Sequence, residues 1–211
     1  IPAAANKINI PMLASGGFAD GRGLAAALAL GAHGINMGTR FCATVEAPIH
    51  QSFKQAMVDA DERATDIIFR TYRNSARVAR NAVSQQVLQM EAAGKPFEEV
   101  AHLVKGVRGR EGLESGNRDH GIWSAGQVQG LIQDIPTVKV LVDRIVDEAE
   151  ALIREKLAAM LPAYADYWTY AKTDVSDATD GDARREMESS PPQQSKGAGR
   201  RGRRRAYLAV S

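Results

Sequence analysis

Short apolar runs that end at glycines open the chain. Residues 7–15 (KINIPMLAS) are mostly apolar and precede Gly16 and Gly17, which predicts a buried strand. Residues 20–31 predict a helix that begins at an aspartate N-cap and stops at a glycine. Residues 34–38 (GINMG) predict a second buried strand. Because short turns join these elements, we expect a βαβ unit with parallel strands and a right-handed crossover.

The pattern after residue 39 is mostly helical. Apolar residues recur at helical spacing over residues 49–60 and 137–160. Residues 65–72 (TDIIFRTY) are rich in β-branched and aromatic residues, which favours a strand. Residues 106–122 hold five glycines and many charges, which predicts a loop. Further helices are predicted over 83–93, 96–105 and 124–133, and disorder is predicted over the polar residues 172–211.

Composition indicates a globular protein with a basic tail. The 211 residues are 44% hydrophobic and 25% charged, which is ordinary for a soluble domain. We expect no membrane association, because no apolar run reaches the roughly 18 residues of a membrane span. The lone cysteine, Cys42, excludes a disulfide framework and suits the reducing cytoplasm. RRGRRR (200–205) has no interleaved aromatic residues, so we interpret it as a solvated tail and expect no specific nucleic-acid binding.

The turns that follow the two predicted strands, residues 15–17 (SGG) and 37–39 (MGT), suit a phosphate group. Glycine lets the backbone approach a ligand because it has no Cβ, and N–H groups at a helix start attract anions. One such turn alone is more typical of a tight connection. Two in successive βα units of a parallel barrel would share one phosphate, and the hydroxyl group of Thr39 would add a donor.

Six short runs carry a likeness to a known family: 16–23 (GGFADGRG), 25–32 (AAALALGA), 36–41 (NMGTRF), 60–63 (ADER), 73–77 (RNSAR) and 123–127 (WSAGQ). Together they resemble the nitronate monooxygenases, a family of flavin barrels formerly called 2-nitropropane dioxygenases. The likeness covers roughly residues 8–160. The runs MGTRFCATVEAPIH and RNSARVARNAVSQ are similar to a branch of NADH:quinone reductases within this superfamily, and a flavin-dependent enoyl-acyl-carrier-protein reductase is a less close match.

The resemblance implies an α/β fold, the C-terminal portion of a (β/α)8 TIM barrel that holds FMN, with an inserted mostly helical domain. It divides the chain into the last βα units of the barrel (1–46), the inserted domain (47–122), helices that return to the barrel (123–171) and a disordered basic tail (172–211). Many relatives have Gln where Asn36 stands, so this contact departs from the family pattern. The implied FMN-binding residues are Gly16, Gly17, Asn36, Met37, Gly38 and Thr39.

The resemblance places the catalytic histidine upstream of this chain. We therefore expect no catalytic residue here, and we expect the missing N-terminal half of the barrel as a partner. His120 is the histidine that could approach the flavin, while Cys42 is interpreted as a small core residue. Residues 123–126 (WSAG) either form a wall of the active site or cap the following helix through Ser124, and we favour the cap. No histidine pair has metal-ligand spacing, so we expect no metal site. The other histidines, interpreted as structural, are His33, His50 and His102.

The predicted function is that of an FMN-dependent oxidoreductase of the nitronate monooxygenase type, which oxidises an alkyl nitronate with O2. This chain alone is expected to be inactive. One alternative is hydride transfer from NAD(P)H through FMN to a quinone. Another is a phosphate-binding remnant without catalysis. The small-molecule substrate is accordingly a nitronate, or NAD(P)H and a quinone.

Overall fold

The structure is a computed structural model that describes residues 1–161 and 208–210. Its strands are β1 (Leu13–Ser15), β2 (Gly34–Met37), β3 (Thr65–Ile68), β4 (Ala76–Ala79) and β5 (Leu208–Val210). Its α-helices are α1 (Pro2–Ala5), α2 (Gly21–Ala29), α3 (Thr39–Cys42), α4 (Gln51–Asp59), α5 (Ala82–Ala92), α6 (Phe97–Val100), α7 (Gly106–Ser115) and α8 (Val138–Ala151). The described strands form a parallel sheet in the order β1-β2-β5 and an antiparallel pair, β3-β4.

The predicted βαβ unit is confirmed. β1 and β2 are parallel, with Ser15 opposite Asn36. Asp20 caps α2, and its side chain accepts a hydrogen bond from the Gly23 N–H at 3.1 Å. The helix stops before Gly31, whose φ of +96° lies in the left-handed region that favours glycine. The cap, the stop and the strand pairing thus follow the signals in the sequence.

The first strand is shorter than the predicted residues 7–15. It starts at Leu13, because Pro11 has no N–H to donate to a strand ladder. Ile10 is 69% exposed and Leu13 is 49% exposed, so this segment is not the buried strand that its apolar composition predicts. β1 lies at the edge of the described sheet, which explains the exposure.

Helix α2 packs closely against α8 because α2 begins with a glycine. A Cβ on Gly21 would lie 2.5 Å from the Ala149 nitrogen and 2.6 Å from the Ile145 oxygen. The Gly21 N–H donates a hydrogen bond to Glu148 Oε2 at 2.9 Å. Apolar side chains fill the space between these two helices and the parallel sheet. They include Leu24, Ala27, Ile35, Leu141 and Ile145.

The segment after α4 forms an antiparallel hairpin, and the sequence predicts only its first strand. β3 covers the first half of residues 65–72 and ends where Phe69 takes a φ of +66°. The Asn74 N–H donates to the Phe69 oxygen at 3.1 Å and closes the turn. In β4 (ARVA), Arg77 lies between an alanine and a valine, so the sequence does not show the alternation of apolar and polar residues that is typical of a strand. Pairing with β3 forms this strand, and Val78 is buried in it.

Residues 106–122 contain a helix, so the predicted loop is wrong. α7 covers the first ten of these residues, and Gly116 ends it with a φ of +85°. The glycines allow close packing here: a Cβ on Gly109 would lie 2.9 Å from the Ile122 oxygen. Glycine lowers helix propensity by about 1 kcal/mol, and tertiary contacts override this preference.

The predicted helix over residues 124–133 is only one 3₁₀ helix, Gln127–Leu131, with Gly126 as its N-cap. The cap that we expected from Ser124 is therefore wrong. Ser124 instead forms an antiparallel bridge with Val78, and the neighbouring Trp123 oxygen accepts a hydrogen bond from the Ala79 N–H at 3.0 Å. Because the backbone of residues 123 and 124 is extended and paired with β4, a helix cannot begin at Ser124.

The last long helix starts where the sequence predicts. The Thr137 side chain accepts a hydrogen bond from the Val140 N–H at 3.3 Å and caps α8. The helical backbone continues through a π-helical stretch, Leu152–Leu157, and a 3₁₀ turn, Ala158–Met160. Among the described helices, none combines the length and the apolar character that crossing a bilayer requires.

The C-terminal tail is described only over Leu208–Val210. This segment forms β5, parallel to β2, where the sequence predicts disorder. A free strand edge offers unpaired N–H and C=O groups, so pairing at β2 accounts for the difference. The arginine run at 200–205 lies outside the described residues. By contacts, residues 1–153 and 208–210 belong to one compact unit.

The close approach of α2 to α8 predicts a large effect of a single methyl group. Gly21→Ala should lower the free energy of unfolding by about 2 kcal/mol, because overpacking forces the two backbones apart. Gly106→Ala is the matched control, since Gly106 is also the first residue of its helix and has no atom within 4 Å of a Cβ. Urea unfolding measures both variants. Equal midpoints would contradict the packing described here.

Candidate functional site

The carboxyl ends of β1 and β2 lie side by side at one edge of the parallel sheet. Ser15 and Asn36 are paired in register, and Asn36 Nδ2 donates a hydrogen bond to Ser15 Oγ at 3.2 Å. The first turn begins at Gly16 and the second at Gly38. Parallel pairing therefore brings together the two glycine turns that the sequence predicts to share a ligand.

The first turn presents bare backbone. Gly16 and Gly17 adopt φ values of +92° and +82°, in the left-handed region where other residues are strained. A Cβ on either glycine would meet no atom within 4 Å, and both residues are exposed. The open space above these glycines is where a ligand group could approach the backbone closely.

The second turn leads into α3, which starts at Thr39. Gly38 is exposed and is the N-cap residue of this helix. Thr39 Oγ1 accepts a hydrogen bond from the Gly126 N–H at 3.0 Å. A hydroxyl group both accepts and donates, so Thr39 still has its proton for a ligand.

Asn36 and Met37 offer different groups to a ligand. The Met37 side chain is 2% exposed and packs in the apolar core, so only its backbone can face the turn. Asn36 Oδ1 is buried and has no hydrogen-bond partner among the described residues. This oxygen is an acceptor, so a ligand hydroxyl group would satisfy it.

A buried arginine holds the second turn in place, and the sequence analysis does not single it out. Arg40 is 3% exposed, and its guanidinium donates to the Ala43 oxygen at 3.1 Å and to Asp134 Oδ1 at 2.7 Å. Burial lowers the pKa of Arg40, and the charge of Asp134 opposes this effect. Arg144 approaches the other carboxylate oxygen of Asp134 at 2.7 Å. The only signal in the sequence is an arginine directly after the MGT turn.

Two cavities lie beside α3, the helix that follows the second turn. The smaller has a volume of about 280 Å³, and Gly38, Phe41 and Cys42 contribute to its wall. The larger has a volume of about 520 Å³ and extends to Trp123. Cys42 and Ile49 line both cavities, so the two are neighbours.

None of the four histidines lines these two cavities or the turns. His33 precedes β2, at the end of the strand opposite the turns, and its Nδ1 accepts a hydrogen bond from the Met12 N–H at 3.2 Å. His50 caps α4. His120 Nε2 lies 2.9 Å from Glu111 Oε2 on α7. Over residues 1–161 and 208–210, no group of three His, Cys, Asp or Glu side chains could hold a metal ion.

Comparison with known proteins identifies the family. Residues 1–148 match the family model described as nitronate monooxygenase. The chain belongs to the nitronate monooxygenase family. A probable nitronate monooxygenase of Bacillus subtilis is 30% identical, over 70% of this chain and 42% of that protein. A structure of FabK from Thermotoga maritima has a TM-score of 0.71 and 34% identity, over 76% of this chain and 50% of that one.

A third relative carries a different name. The (3aS,4S,5R,7aS)-5-hydroxy-7a-methyl-1-oxo-octahydro-1H-indene-4-carboxyl-CoA dehydrogenase of Rhodococcus jostii is also 30% identical, over 71% of this chain and 52% of that protein. The chain therefore spans about half the length of the relatives that it matches. The resemblance that the sequence indicates is confirmed, and it makes this chain part of a family of flavin oxidoreductases.

Because Arg40 is buried and Arg144 is partly exposed, we expect Arg40 to contribute more to stability than Arg144, although both pair with Asp134. Arg40→Met should lower the free energy of unfolding by about 3 kcal/mol, because it leaves Asp134 Oδ1 and the carbonyl oxygens of Ala43 and Asp134 without the donors of Arg40. Arg144→Met is the matched control and should cost at most about 1 kcal/mol, because this pair is partly exposed. Urea unfolding measures both. Similar losses in the two variants would show that Arg40 does not anchor the turn.

Proposed function

We propose that this chain carries the phosphate-binding part of an FMN-dependent oxidoreductase of the nitronate monooxygenase type, which oxidises alkyl nitronates with O2. The observation that carries the proposal is the register of β1 and β2, because it brings the turns at Gly17 and Gly38 to one sheet edge. Membership of a family of flavin oxidoreductases supports it independently.

The residues at this edge fit the phosphate end of FMN. Gly16 and Gly17 leave room for the phosphate beside their backbone. The first N–H groups of a helix have no partner within the helix, so those of Gly38 and Thr39 can donate to the phosphate together with the Thr39 hydroxyl. Asn36 Oδ1 is an acceptor, and therefore suits a hydroxyl group of the ribityl chain better than a phosphate oxygen.

Bound FMN would supply the redox chemistry, which is the transfer of electrons from the substrate to oxygen. The residues of this chain bind and orient the phosphate end of the cofactor. None of its histidines lies at the turns, so we assign proton transfer to the part of the family barrel that this chain does not span.

The partner in this proposal is the N-terminal half of the barrel. β1 is an edge strand of the described sheet, and its first residue, Leu13, is exposed, as is Ile10 before it. An apolar parallel strand normally has a strand on either side. The relatives are about twice as long as the matched region. We therefore propose that this chain needs those additional strands for turnover, and that the lone cysteine supports a cytoplasmic location.

A flavin reductase that does not use oxygen is the second candidate, with NAD(P)H as donor and a quinone as acceptor. The dehydrogenase of Rhodococcus jostii and the probable nitronate monooxygenase of Bacillus subtilis have the same sequence identity to this chain, 30%. The name of the first relative supports an electron acceptor other than oxygen as an alternative. Fast bleaching of the flavin by NADH, without turnover of a nitronate, would favour this candidate. Bleaching by propionate 3-nitronate alone would favour the first.

The phosphate site predicts that one glycine controls FMN affinity. In the chain produced together with the N-terminal half of the Bacillus subtilis relative, Gly17→Val should weaken FMN binding at least about tenfold, since each lost charge-assisted hydrogen bond costs about 1.5–3 kcal/mol. Gly94→Val is the matched control, because Gly94 also has a positive φ of +70° and open space around a Cβ. Quenching of flavin fluorescence measures both.

Thr39→Val separates the hydroxyl group from the backbone of the second turn. It should weaken FMN binding less than Gly17→Val, because it removes one donor and leaves the N–H groups in place. Equal FMN affinity of the parent and the Gly17→Val protein would refute the proposed phosphate site. If the paired halves bind no FMN and oxidise neither substrate, the chain is a remnant without catalysis.

A further inference from the structure

The larger cavity, beside the C-terminal end of α3, has an apolar wall. Its volume of about 520 Å³ lies within the range of about 300–1,000 Å³ that is typical of small-molecule sites. Among the described residues that form this wall, Ser124 and two cationic side chains are the ones that add strongly polar groups. Its apolar residues are Ile49, Met57, Val104, Leu113, Ile122 and Trp123.

The two cationic side chains in this wall are those of Lys105, the N-cap residue of α7, and Arg110, in the middle of that helix. Both are exposed, and neither has an ion pair within the described part of the chain. Among residues 1–161 and 208–210, no aspartate or glutamate lines the cavity. Glu111, the acidic residue next to Arg110, pairs with His120 instead. The cavity thus has positive charge at its wall that no lining carboxylate neutralises.

The position of Cys42 connects this cavity with the proposed cofactor site. Cys42 and Ile49 line both cavities, and the smaller cavity reaches Gly38 of the second turn. The cationic residues line only the larger cavity. A ligand in the larger cavity therefore has one end near Cys42, on the side of the flavin turn, and another near α7.

We infer that the larger cavity is the substrate pocket of the proposed flavin site and binds an amphipathic anion, with a carboxylate or phosphate group at Lys105 and Arg110 and its apolar body toward Cys42. This inference rests on the proposed function and adds the substrate class. The apolar wall stabilises the body of the ligand, and the unpaired cations attract its charged end. The anionic group is then remote from the carbon that reacts.

Cys42 is a site-specific reporter of occupancy, because it is the only cysteine in the chain. It is half-buried, and burial raises the pKa of its thiol, so alkylation by N-ethylmaleimide should be slow and sensitive to a ligand. The rate of alkylation is followed by mass spectrometry on the purified 211-residue chain without flavin. The probes are decanoate, decyl phosphate, decan-1-ol and decyltrimethylammonium.

We expect decanoate or decyl phosphate to slow alkylation in a saturable manner, and their relative strength identifies the anionic group. Decan-1-ol should need about tenfold higher concentration, because it lacks attraction by two exposed cations. Decyltrimethylammonium should not protect Cys42. Equal protection by all four probes, or no protection by either anion, would overturn the inference.

Charge removal tests the two cations directly. The double variant Lys105→Gln/Arg110→Gln should raise the half-protecting concentration of the anions about tenfold and leave that of decan-1-ol unchanged. Arg63→Gln is the matched control, since Arg63 is an exposed cation that does not line the cavity. Unchanged urea midpoints verify that the variants fold. The same shift in the control and in the double variant would contradict a role of Lys105 and Arg110.

The experiment separates this inference from the proposed function, because it contains no flavin. If the anions protect Cys42 in this chain, but the chain paired with an N-terminal half binds no FMN, the anion pocket is supported and the flavin proposal is refuted. FMN binding without protection of Cys42 would remove the anion pocket and leave the flavin proposal intact.

Discussion

The parallel register that places Ser15 opposite Asn36 is the constraint on which the rest of the structure depends. It requires a crossover between two strands that run in the same direction, and the alanine-rich α2 supplies that crossover. Once α2 lies on the sheet, Gly21 allows α8 to approach its backbone and to close the apolar core. The same register brings both glycine turns to one edge, so folding and the candidate site share one cause.

Two long-range contacts fix the second turn after the register has formed. The Thr39 hydroxyl accepts a hydrogen bond from Gly126, 87 residues away in sequence, and Arg40 pairs with Asp134, 94 residues away. Burying the guanidinium costs desolvation energy, which its several hydrogen bonds offset. These contacts attach the turn to segments on either side of the 3₁₀ helix. They explain how a four-residue helix keeps a defined position.

Local signals in the sequence predict the first part of the chain well. Asp20 and Gly31 bound α2 because capping and a left-handed φ depend on neighbouring residues alone. Non-local contacts decide the elements that the sequence does not predict. β4 exists because it pairs with β3, and α7 forms despite its glycines because Gly109 lets the helix approach the backbone of Ile122. The sequence predicts that the first strand includes residues 7–12, but β1 starts only after Pro11, which has no N–H to donate to a strand ladder.

The residues of the candidate site also fall into those that local sequence signals predict and those that depend on non-local contacts. The two glycine turns can be predicted from their spacing and from the family resemblance, whereas Arg40 acts through Asp134 and gives no local signal. The central claim is that the turns at Gly17 and Gly38 bind the phosphate of FMN. Comparing the affinities for FMN and for riboflavin, in the chain paired with an N-terminal half, tests it most directly, because the two ligands differ only in the phosphate. We expect FMN to bind about 100-fold more tightly or better, as two charge-assisted hydrogen bonds would provide. Equal affinities would contradict the claim.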